Sequence, residues 1–404
     1  MERAPTHIVR LALAGPVSVT ETGRVISPQL IGLLAVLALL AFWLVQRALA
    51  THAMRAGMRL RKQRRGLNPS GRPEVPPAAP GTEQFVSPET APASLRDFDW
   101  HTAQSLPESR KQRMLAELKK TPPPPRAFHQ LVSPEFVANA SSAELADLVI
   151  GVPRAATTVL ARVNSAFYGL PRPVGSVGQA ITFLGLNSVR TICLQYMMEA
   201  SFNACAPALR QRFDQLCAAS AIAVEVSQKL SQRLQLAEAG SLVTEVALSS
   251  LGHFAAATLM PRAAAASNQS LLARAWSEQE QLGAPAAEIG ALLMRAWELP
   301  EVLVQQVRAI DRMLVMPAAQ LEPEHRLRLT VGYLSARLGE RMARGETVNP
   351  EDFALTAMTG DDFFHVRAGL ETGERQRLHE ALRSPELARS LRSMIAALRQ
   401  PDAG

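Results

Sequence analysis

The hydrophobic and polar positions follow two different patterns along this chain. Residues 26–50 form an almost continuous apolar stretch, and its central part, residues 30–45, contains no charged side chain. About 20 apolar residues in a helix cross the hydrocarbon core of a bilayer, so the pattern predicts a single transmembrane helix. From residue 128 onward, apolar residues recur at helical spacing, and period-two alternation never lasts more than a few residues. This second pattern predicts an all-α fold.

The charges beside the apolar stretch predict its orientation. Seven lysines and arginines follow it between residues 47 and 65, whereas three arginines precede it. Because the flank richer in these residues stays in the cytoplasm, we expect a single-pass protein of the inner membrane with its C-terminal domain in the cytoplasm. A cleaved signal peptide is the alternative, but its apolar core usually has about 7–15 residues and ends in small side chains.

The same basic run could bind nucleic acid. Beside a membrane it is explained more simply as a topology signal that contacts anionic lipid head groups. The basic residues elsewhere are scattered among acidic ones, whereas nucleic-acid binding would require a basic stripe with aromatic residues between its members. We therefore expect the membrane, and no nucleic acid, as a partner.

Composition divides the chain into five parts. Residues 1–25 are a short N-terminal segment and residues 26–50 the membrane helix. Residues 51–95 are first basic and then rich in proline, which predicts an extended, semi-rigid linker. A multi-helix domain is expected at residues 115–318, followed by a C-terminal helical extension at residues 319–404.

Capping signals support the helices of the main domain. Ser141 and Glu144 form a capping box, and Ser176 with Gln179 forms a second one. Gly185 then provides a helix stop. In the extension, residues 324–344 and 372–399 each have an amphipathic face. We expect this face to pack on the main domain, with an intermolecular helix bundle, and hence a homo-oligomer, as the alternative.

Composition excludes several other classes. The chain has 404 residues with a net charge of +7, and 47% of its residues are hydrophobic but only 5% aromatic. These values do not fit a disordered or an all-β protein. Three cysteines without a C-x-x-C pair exclude a disulfide scaffold and a cysteine-rich zinc module. No glycine-rich phosphate loop or nucleophile elbow is present either.

Three neighbouring segments resemble a known family. Residues 163–171 read VNSAFYGLP, residues 174–181 read VGSVGQAI and residues 184–190 read LGLNSVR. Together they resemble the HDOD family, bacterial all-α signalling-output domains related to HD-type metal phosphohydrolases. Val163 and Val177 are small departures from the family pattern.

The resemblance extends further along the chain. The segments EIG at residues 288–290 and WELP at 297–300 are similar to the later helices of the family. The resemblance therefore covers residues 115–318, about half of the chain, and implies the same all-α domain that the helical periodicity predicts.

Five residues of these motifs are candidates for binding: Asn164, Ser165, Tyr168, Gly169 and Arg190. Asn and Ser near a helix end, followed by Tyr-Gly, can instead end the helix and bond to a neighbouring backbone. We favour this structural interpretation and keep ligand binding as the alternative.

The resemblance also indicates where an HD phosphohydrolase would hold its metals. The ligand positions fall on Ala219, Ser249, Ser250 and Ala286, and further ligands would fall near Ile310 and Asp311. Alanine cannot bind a metal, and serine is a poor replacement for imidazole or carboxylate. We therefore expect no metal, no cofactor and no enzymatic activity.

His253 lies one helical turn after Ser250. It could face the former metal cavity, but we expect a hydrogen-bonded histidine of the core or its rim. Neither His253 nor Asp311 could complete a coordination shell alone.

Three functions are compatible with the sequence. The first is a membrane-tethered, catalytically inactive signal-transduction or scaffold module that binds a protein of unknown identity or a ligand. The second is a residual or divergent phosphodiesterase. The third is a module that binds a cyclic dinucleotide without turnover.

Overall fold

The computed structural model describes residues 91–165, 167–202, 209–260, 270–317, 320–346, 355 and 358–399. The predicted membrane helix at residues 26–50, the N-terminal segment and most of the linker lie outside the described residues. The described residues all belong to one compact unit. They contain 17 α-helices and two short 3-10 helices but no strand, which confirms the all-α prediction.

The helices are numbered in chain order. They are α1 Ala93–Arg96, α2 Glu108–Leu118, α3 Arg126–Val132, α4 Pro134–Asn139, α5 Ser142–Ile150, α6 Pro153–Val163, α7 Val177–Leu184, α8 Leu186–Phe202, α9 Arg210–Leu234, α10 Ala239–Leu259, α11 Leu271–Leu282, α12 Ala286–Ala296, α13 Glu301–Arg312, α14 Pro323–Ala343, α15 Phe364–Gly369, α16 Thr372–Leu382 and α17 Pro385–Arg399. The 3-10 helices are Ala103–Ser105 and Asp361–Phe363.

Local sequence signals account for several helix ends. Ser141 caps α5 in a complete capping box. Ser176 caps α7 through the N–H of Gln179, but the Gln179 side chain accepts a hydrogen bond from the N–H of Gly175 instead of closing the second box. Gly185 ends α7 with a φ of 85°, a value that favours glycine.

Two boundaries differ from the sequence-based expectation. Helix α1 already begins at Ala93, inside the range 51–95 predicted as linker. The amphipathic range 372–399 is divided into α16 and α17, because Pro385 begins a new helix after Ser384.

The most extensive helix–helix contact in the core is between α9 and α14, which lie side by side. Helices α16 and α17 also contact α9, so the C-terminal extension packs on the main domain within one chain. Helix α10 lies between α9, α12 and α13. Among the described residues, α10 alone has the length and apolarity of a membrane span, but most of it is buried among these neighbours, as in a core helix.

Glycines allow the helices around α10 and α14 to approach closely. A Cβ atom on Gly290 of α12 would lie 2.7 Å from the Cα of Gly252 of α10. A Cβ atom on Gly339 of α14 would lie 2.9 Å from the backbone nitrogen of Ala223 and even closer to the carbonyl oxygen of Ala219. Real Cβ contacts are essentially never this short, so α10 packs backbone to backbone on α12, and α9 does so on α14.

Candidate functional site

The positions assigned to lost metal ligands lie where these helices meet. Ala219 of α9 and Ser249 and Ser250 of α10 line one cavity of about 20 Å³. The hydroxyl groups of Ser249 and Ser250 donate to backbone carbonyls of their own helix, at 2.8 and 2.7 Å. Ala286 is buried at the start of α12, where its N–H donates to Glu278 at 2.7 Å. None of the four side chains can coordinate a metal ion well.

His253 also faces this cavity, and its Nε2 lies 3.1 Å from Oδ2 of Asp311 and 3.5 Å from Oε1 of Glu340. The Nε2 atom has no well-aligned hydrogen bond, so these are charge contacts when the imidazole is protonated. The structure thus brings together His253 and Asp311, the two candidates that remained after the sequence analysis, and buries both.

Two arginines complete the cluster. Arg337 of α14 donates from one terminal nitrogen to Asp311 at 2.8 Å and from the other to Glu340 at 3.2 Å. Arg274 of α11 binds both oxygens of Glu340, at 3.0 and 2.9 Å. Asp311, Arg337, Glu340, Arg274 and His253 are hereafter called the buried charge network.

Three members of this network were not identified from the sequence: Arg274, Arg337 and Glu340. One signal could have indicated the last two. Arg337 and Glu340 lie one turn apart on α14, on either side of the apolar Leu338, in a helix that is buried over most of its length. Charged residues this deep in a helix usually require partners of opposite charge.

The network holds both carboxyl groups in their ionised form. Burial alone would raise the pKa of Asp311, but Arg337 and His253 lower it below its ordinary value. Burial likewise opposes ionisation of Glu340, and Arg274 and Arg337 outweigh it and lower the pKa. Glu278 differs, because burial raises its pKa despite nearby His253 and Arg274. Opposite charges close by therefore dominate for the first two groups.

Acid should weaken the fold through this network. A carboxyl whose pKa is lower in the folded than in the unfolded protein stabilises the fold above the unfolded pKa, and that contribution disappears as pH falls through the folded pKa. For Asp311 and Glu340 the ordinary values are 3.8 and 4.5. We therefore expect the free energy of unfolding to fall steadily below about pH 5, as measured by denaturant unfolding at several pH values.

The control for this measurement is Glu340→Gln. It removes one of the two titrating carboxyl groups, so its free energy of unfolding should depend less steeply on acid pH than that of the wild type. Glu278 titrates in the opposite sense, since a raised pKa contributes stability that is lost as pH rises above 4.5. Identical acid slopes in wild type and Glu340→Gln would contradict the assignment.

The residues at this position do not fit a catalytic metal. Asp311 and Glu340 are already neutralised by guanidinium groups, and the described residues contain no group of three or more His, Cys, Asp or Glu side chains able to hold an ion. A cavity of about 20 Å³ accommodates about one water molecule. Arginine side chains supply positive charge beside both carboxylates at this position.

The motif residues after α6 bind backbone groups. Asn164 donates to the carbonyl of Val174 at 2.9 Å and accepts from its N–H at 2.7 Å, which closes the loop between them. Ser165 donates to the carbonyl of Arg162. Gly169 has a φ of 57°, in the left-handed region. These three residues shape a loop, as the structural interpretation of the sequence expects.

Tyr168 is partly buried and Arg190 is fully buried. The ring of Tyr168 packs edge-on against Phe167 and Phe183, and burial raises the pKa of its hydroxyl to about 12. Arg190 is fully buried and donates to the carbonyls of Leu131 and Gly240. Burial lowers its pKa to about 10. Arg190 thus links α3, α8 and α10.

A second polar contact joins the end of the linker to the domain. Buried Glu288, from the EIG motif, accepts from the indole Nε1 of Trp100 at 3.0 Å and from the N–H of Ala103 at 3.1 Å. Gln279 forms two further bonds with the backbone of this segment, at Asp99 and His101. Residues 91–106, hereafter the strap, therefore contact α11 and α12 directly. No pattern in the sequence pointed to Trp100.

Comparisons with known proteins agree with this architecture. The family model described as HDOD domain matches residues 121–313. The crystal structure of an HDOD domain protein of unknown function from Geobacter sulfurreducens is 16% identical, with a TM-score of 0.50, covering 72% of this chain and 98% of that chain. At this identity the likeness shows the fold alone.

Two further solved structures are similar at lower scores. A candidate signal transduction protein from Marinobacter aquaeolei VT8 is 19% identical, with a TM-score of 0.47 and coverage of 72% of this chain and 66% of that chain. A candidate metal-dependent phosphohydrolase from Shewanella amazonensis SB2B is 16% identical, with a TM-score of 0.44 and coverage of 72% and 100%. No curated protein matches the chain. Residues 121–313 of this chain therefore contain an HDOD domain.

Proposed function

We propose that this protein is a membrane-tethered, catalytically inactive signal-transduction or scaffold module that acts by binding a protein partner. The buried charge network is the observation that carries the proposal. Its arginines neutralise Asp311 and Glu340 at the position where a phosphohydrolase would need metal ions. Without a metal-bound hydroxide, nothing here would attack phosphorus. The signalling role itself is what the HDOD resemblance implies.

The tether is part of the same proposal. The apolar stretch 26–50 would hold the protein in the inner membrane, with the basic run 47–65 on the cytoplasmic side. The strap then delivers the chain onto α11 and α12 through the bonds of Trp100 and Glu288.

Loss of catalysis is tested by metal content and turnover. The full-length protein, purified in detergent and incubated with Mn²⁺, Ni²⁺, Zn²⁺ or Fe²⁺, is expected to retain substoichiometric metal and to leave cyclic nucleotides and cyclic dinucleotides intact. Asp311→Ala and His253→Ala are the comparison variants, and they should not lower either signal. Stoichiometric metal, with turnover that either variant abolishes, would establish the phosphodiesterase alternative.

Binding of a protein partner is tested in native membranes. Crosslinking with mass spectrometry should capture a set of proteins with the full-length chain that is absent from a chain lacking residues 121–313. A third chain lacking residues 26–50 serves as the control for tethering and is expected in the soluble fraction. The proposal fails if the captured set is the same with and without the HDOD domain.

The cyclic-dinucleotide alternative receives little support from the former metal position. The cavity of about 20 Å³ is far smaller than the several hundred Å³ of typical ligand pockets. A nucleotide could enter only if α14 moved, because Arg337 and Glu340 of that helix line the cavity. Calorimetry with cyclic dinucleotides therefore serves as a further check, and no heat of binding is expected.

A further inference from the structure

Arg212 differs from the other arginines at this end of the domain. It lies in the first turn of α9, half-buried, and its Nε atom is inaccessible to solvent without any hydrogen-bond partner. No carboxylate within the described residues forms an ion pair with it. A guanidinium has five N–H donors and keeps its charge, so a half-buried guanidinium without an acceptor is a group that an added anion can satisfy.

The packing of α9 on α14 places Arg212 near a second arginine. Leu216 of α9 and Glu340 of α14 line the same cavity, and the two helices run antiparallel along a long contact. Arg212 lies one turn before Leu216, and Arg344 lies one turn after Glu340. The register therefore brings Arg212 and Arg344 to the same end of the helix pair, and Arg274 binds Glu340 from the adjacent α11.

The charges at this end do not balance. Glu340 is already bound by Arg274, and Glu346 accepts from Arg344 at 2.8 Å. Glu278 also acts on Arg212, but burial raises the pKa of this carboxyl, and within the described part of the chain it forms no ion pair with Arg212. Burial lowers the pKa of Arg212, and the charges of Arg274 and Arg344 lower it further, although Glu340 acts in the opposite direction. The positive charges of Arg212, Arg274 and Arg344 therefore repel one another in a region that is only partly accessible to water.

We infer that Arg212, Arg344 and Arg274 form a binding site for a phosphate group. Arg212 is half-buried and the side chain of Arg344 is 12% exposed, so both reach the surface in part, and Arg274 adds positive charge behind them. Guanidinium groups bind phosphate oxygens through two parallel hydrogen bonds, and a phosphate near neutral pH carries up to two negative charges, which would compensate the excess here. Arg212 and Arg344 do not line the cavity of the former metal position, whereas Arg274 also belongs to the buried charge network. Phosphate binding here requires neither the membrane tether nor loss of catalysis, so it can be tested independently of the proposed function.

The test is a titration of the full-length protein in detergent with inorganic phosphate, followed by thermal unfolding and calorimetry. Sodium chloride at equal ionic strength is the baseline. We expect saturable binding that raises the unfolding midpoint, because a ligand that binds only the folded state stabilises it. Arg212→Gln should weaken phosphate binding about tenfold or more, the loss expected for charge-assisted hydrogen bonds.

Arg210→Gln is the matched control, since Arg210 lies in the same turn of α9 but is exposed. It should bind phosphate as the wild type does. If Arg212→Gln does not fold, Arg344→Gln provides the same comparison. No saturable binding by the wild type, unchanged binding by the Arg212 variant, or equal losses in both α9 variants would each overturn the inference.

A second titration distinguishes the sources of the phosphate group. Detergent micelles doped with phosphatidic acid are compared with micelles doped with phosphatidylcholine. Stabilisation by free phosphate indicates a small soluble ligand, and stabilisation by phosphatidic acid alone indicates a lipid head group. Either result supports a phosphate site at Arg212 when Arg212→Gln abolishes the response. A phosphatidic acid response that Arg212→Gln retains counts against the site, because the basic run 47–65 is itself expected to contact anionic lipid head groups. The absence of any response in both titrations counts against it, whatever the turnover assay shows.

Discussion

The variant Arg337→Met is expected to lower the free energy of unfolding by about 3–5 kcal/mol, the cost of removing one partner from a buried ion pair. The side chains of Arg337 and Asp311 are each 3% exposed, and Arg337 also binds Glu340. Methionine fills a similar volume but leaves two carboxylates with less positive charge and too few hydrogen bonds. Chemical denaturation of the full-length protein in detergent, followed by circular dichroism, measures the change.

Two control variants distinguish the loss of this buried ion pair from the loss of an arginine side chain in general. Arg295→Met removes the same kind of side chain from a pair with Glu301 that is largely exposed, and should change the free energy of unfolding by no more than about 1 kcal/mol. The double variant Asp311→Leu with Arg337→Met removes one charge of each sign and should be more stable than the sum of its single changes predicts. If Arg337→Met lowered the free energy of unfolding no more than Arg295→Met does, the buried charge network would not stabilise the fold as described.

The second large effect is expected from Gly252→Ala. A methyl group at this position would lie 2.8 Å from the carbonyl carbon of Ala286, and the obstructing atoms belong to the backbone of α12. Backbone cannot rotate away as a side chain can, so α10 and α12 must separate. We expect a loss of about 3 kcal/mol in the free energy of unfolding, at the upper end of the range for overpacked cores.

Gly178→Ala is the matched control, because Gly178 is also a helical glycine but has no atom within 4 Å of the point where a methyl group would lie. That change should be neutral or stabilise the fold by about 0.4–1 kcal/mol, since alanine restricts the unfolded chain. Thermal and chemical unfolding of both variants give the comparison. Equal stabilities would show that the helices do not cross as closely as described.

Much of the fold could be predicted from local sequence signals. The capping box at Ser141, the stop at Gly185 and the apolar periodicity act within a few residues, so they are readable without the tertiary structure. Local sequence signals do not predict where the strap begins and ends. Trp100 is anchored by Glu288, which lies 188 residues further along the chain, and no local pattern indicates so distant a partner.

The candidate site could be predicted only in part for the same reason. Ala219, Ser249 and Ser250 were expected at a former metal position from the family resemblance, and the structure places them around one cavity. The resemblance could not indicate the ion pairs at this position, because Arg337 and Glu340 belong to α14, beyond the matched residues 121–313. Residues of opposite charge that come together only in the folded chain have no fixed separation in the sequence, so no local pattern predicts their pairing.

The position of α14 has a consequence for any attempt to transplant this domain. A gene fragment that stops at residue 313 would encode Asp311 without Arg337, its ion-pair partner, and would expose the surface of α9 that Gly339 approaches. Such a fragment should be insoluble or partly folded when produced alone. The smallest exchangeable module therefore extends at least through Ala343, because a chimera that ends with the family match would separate Asp311 from its counterion Arg337.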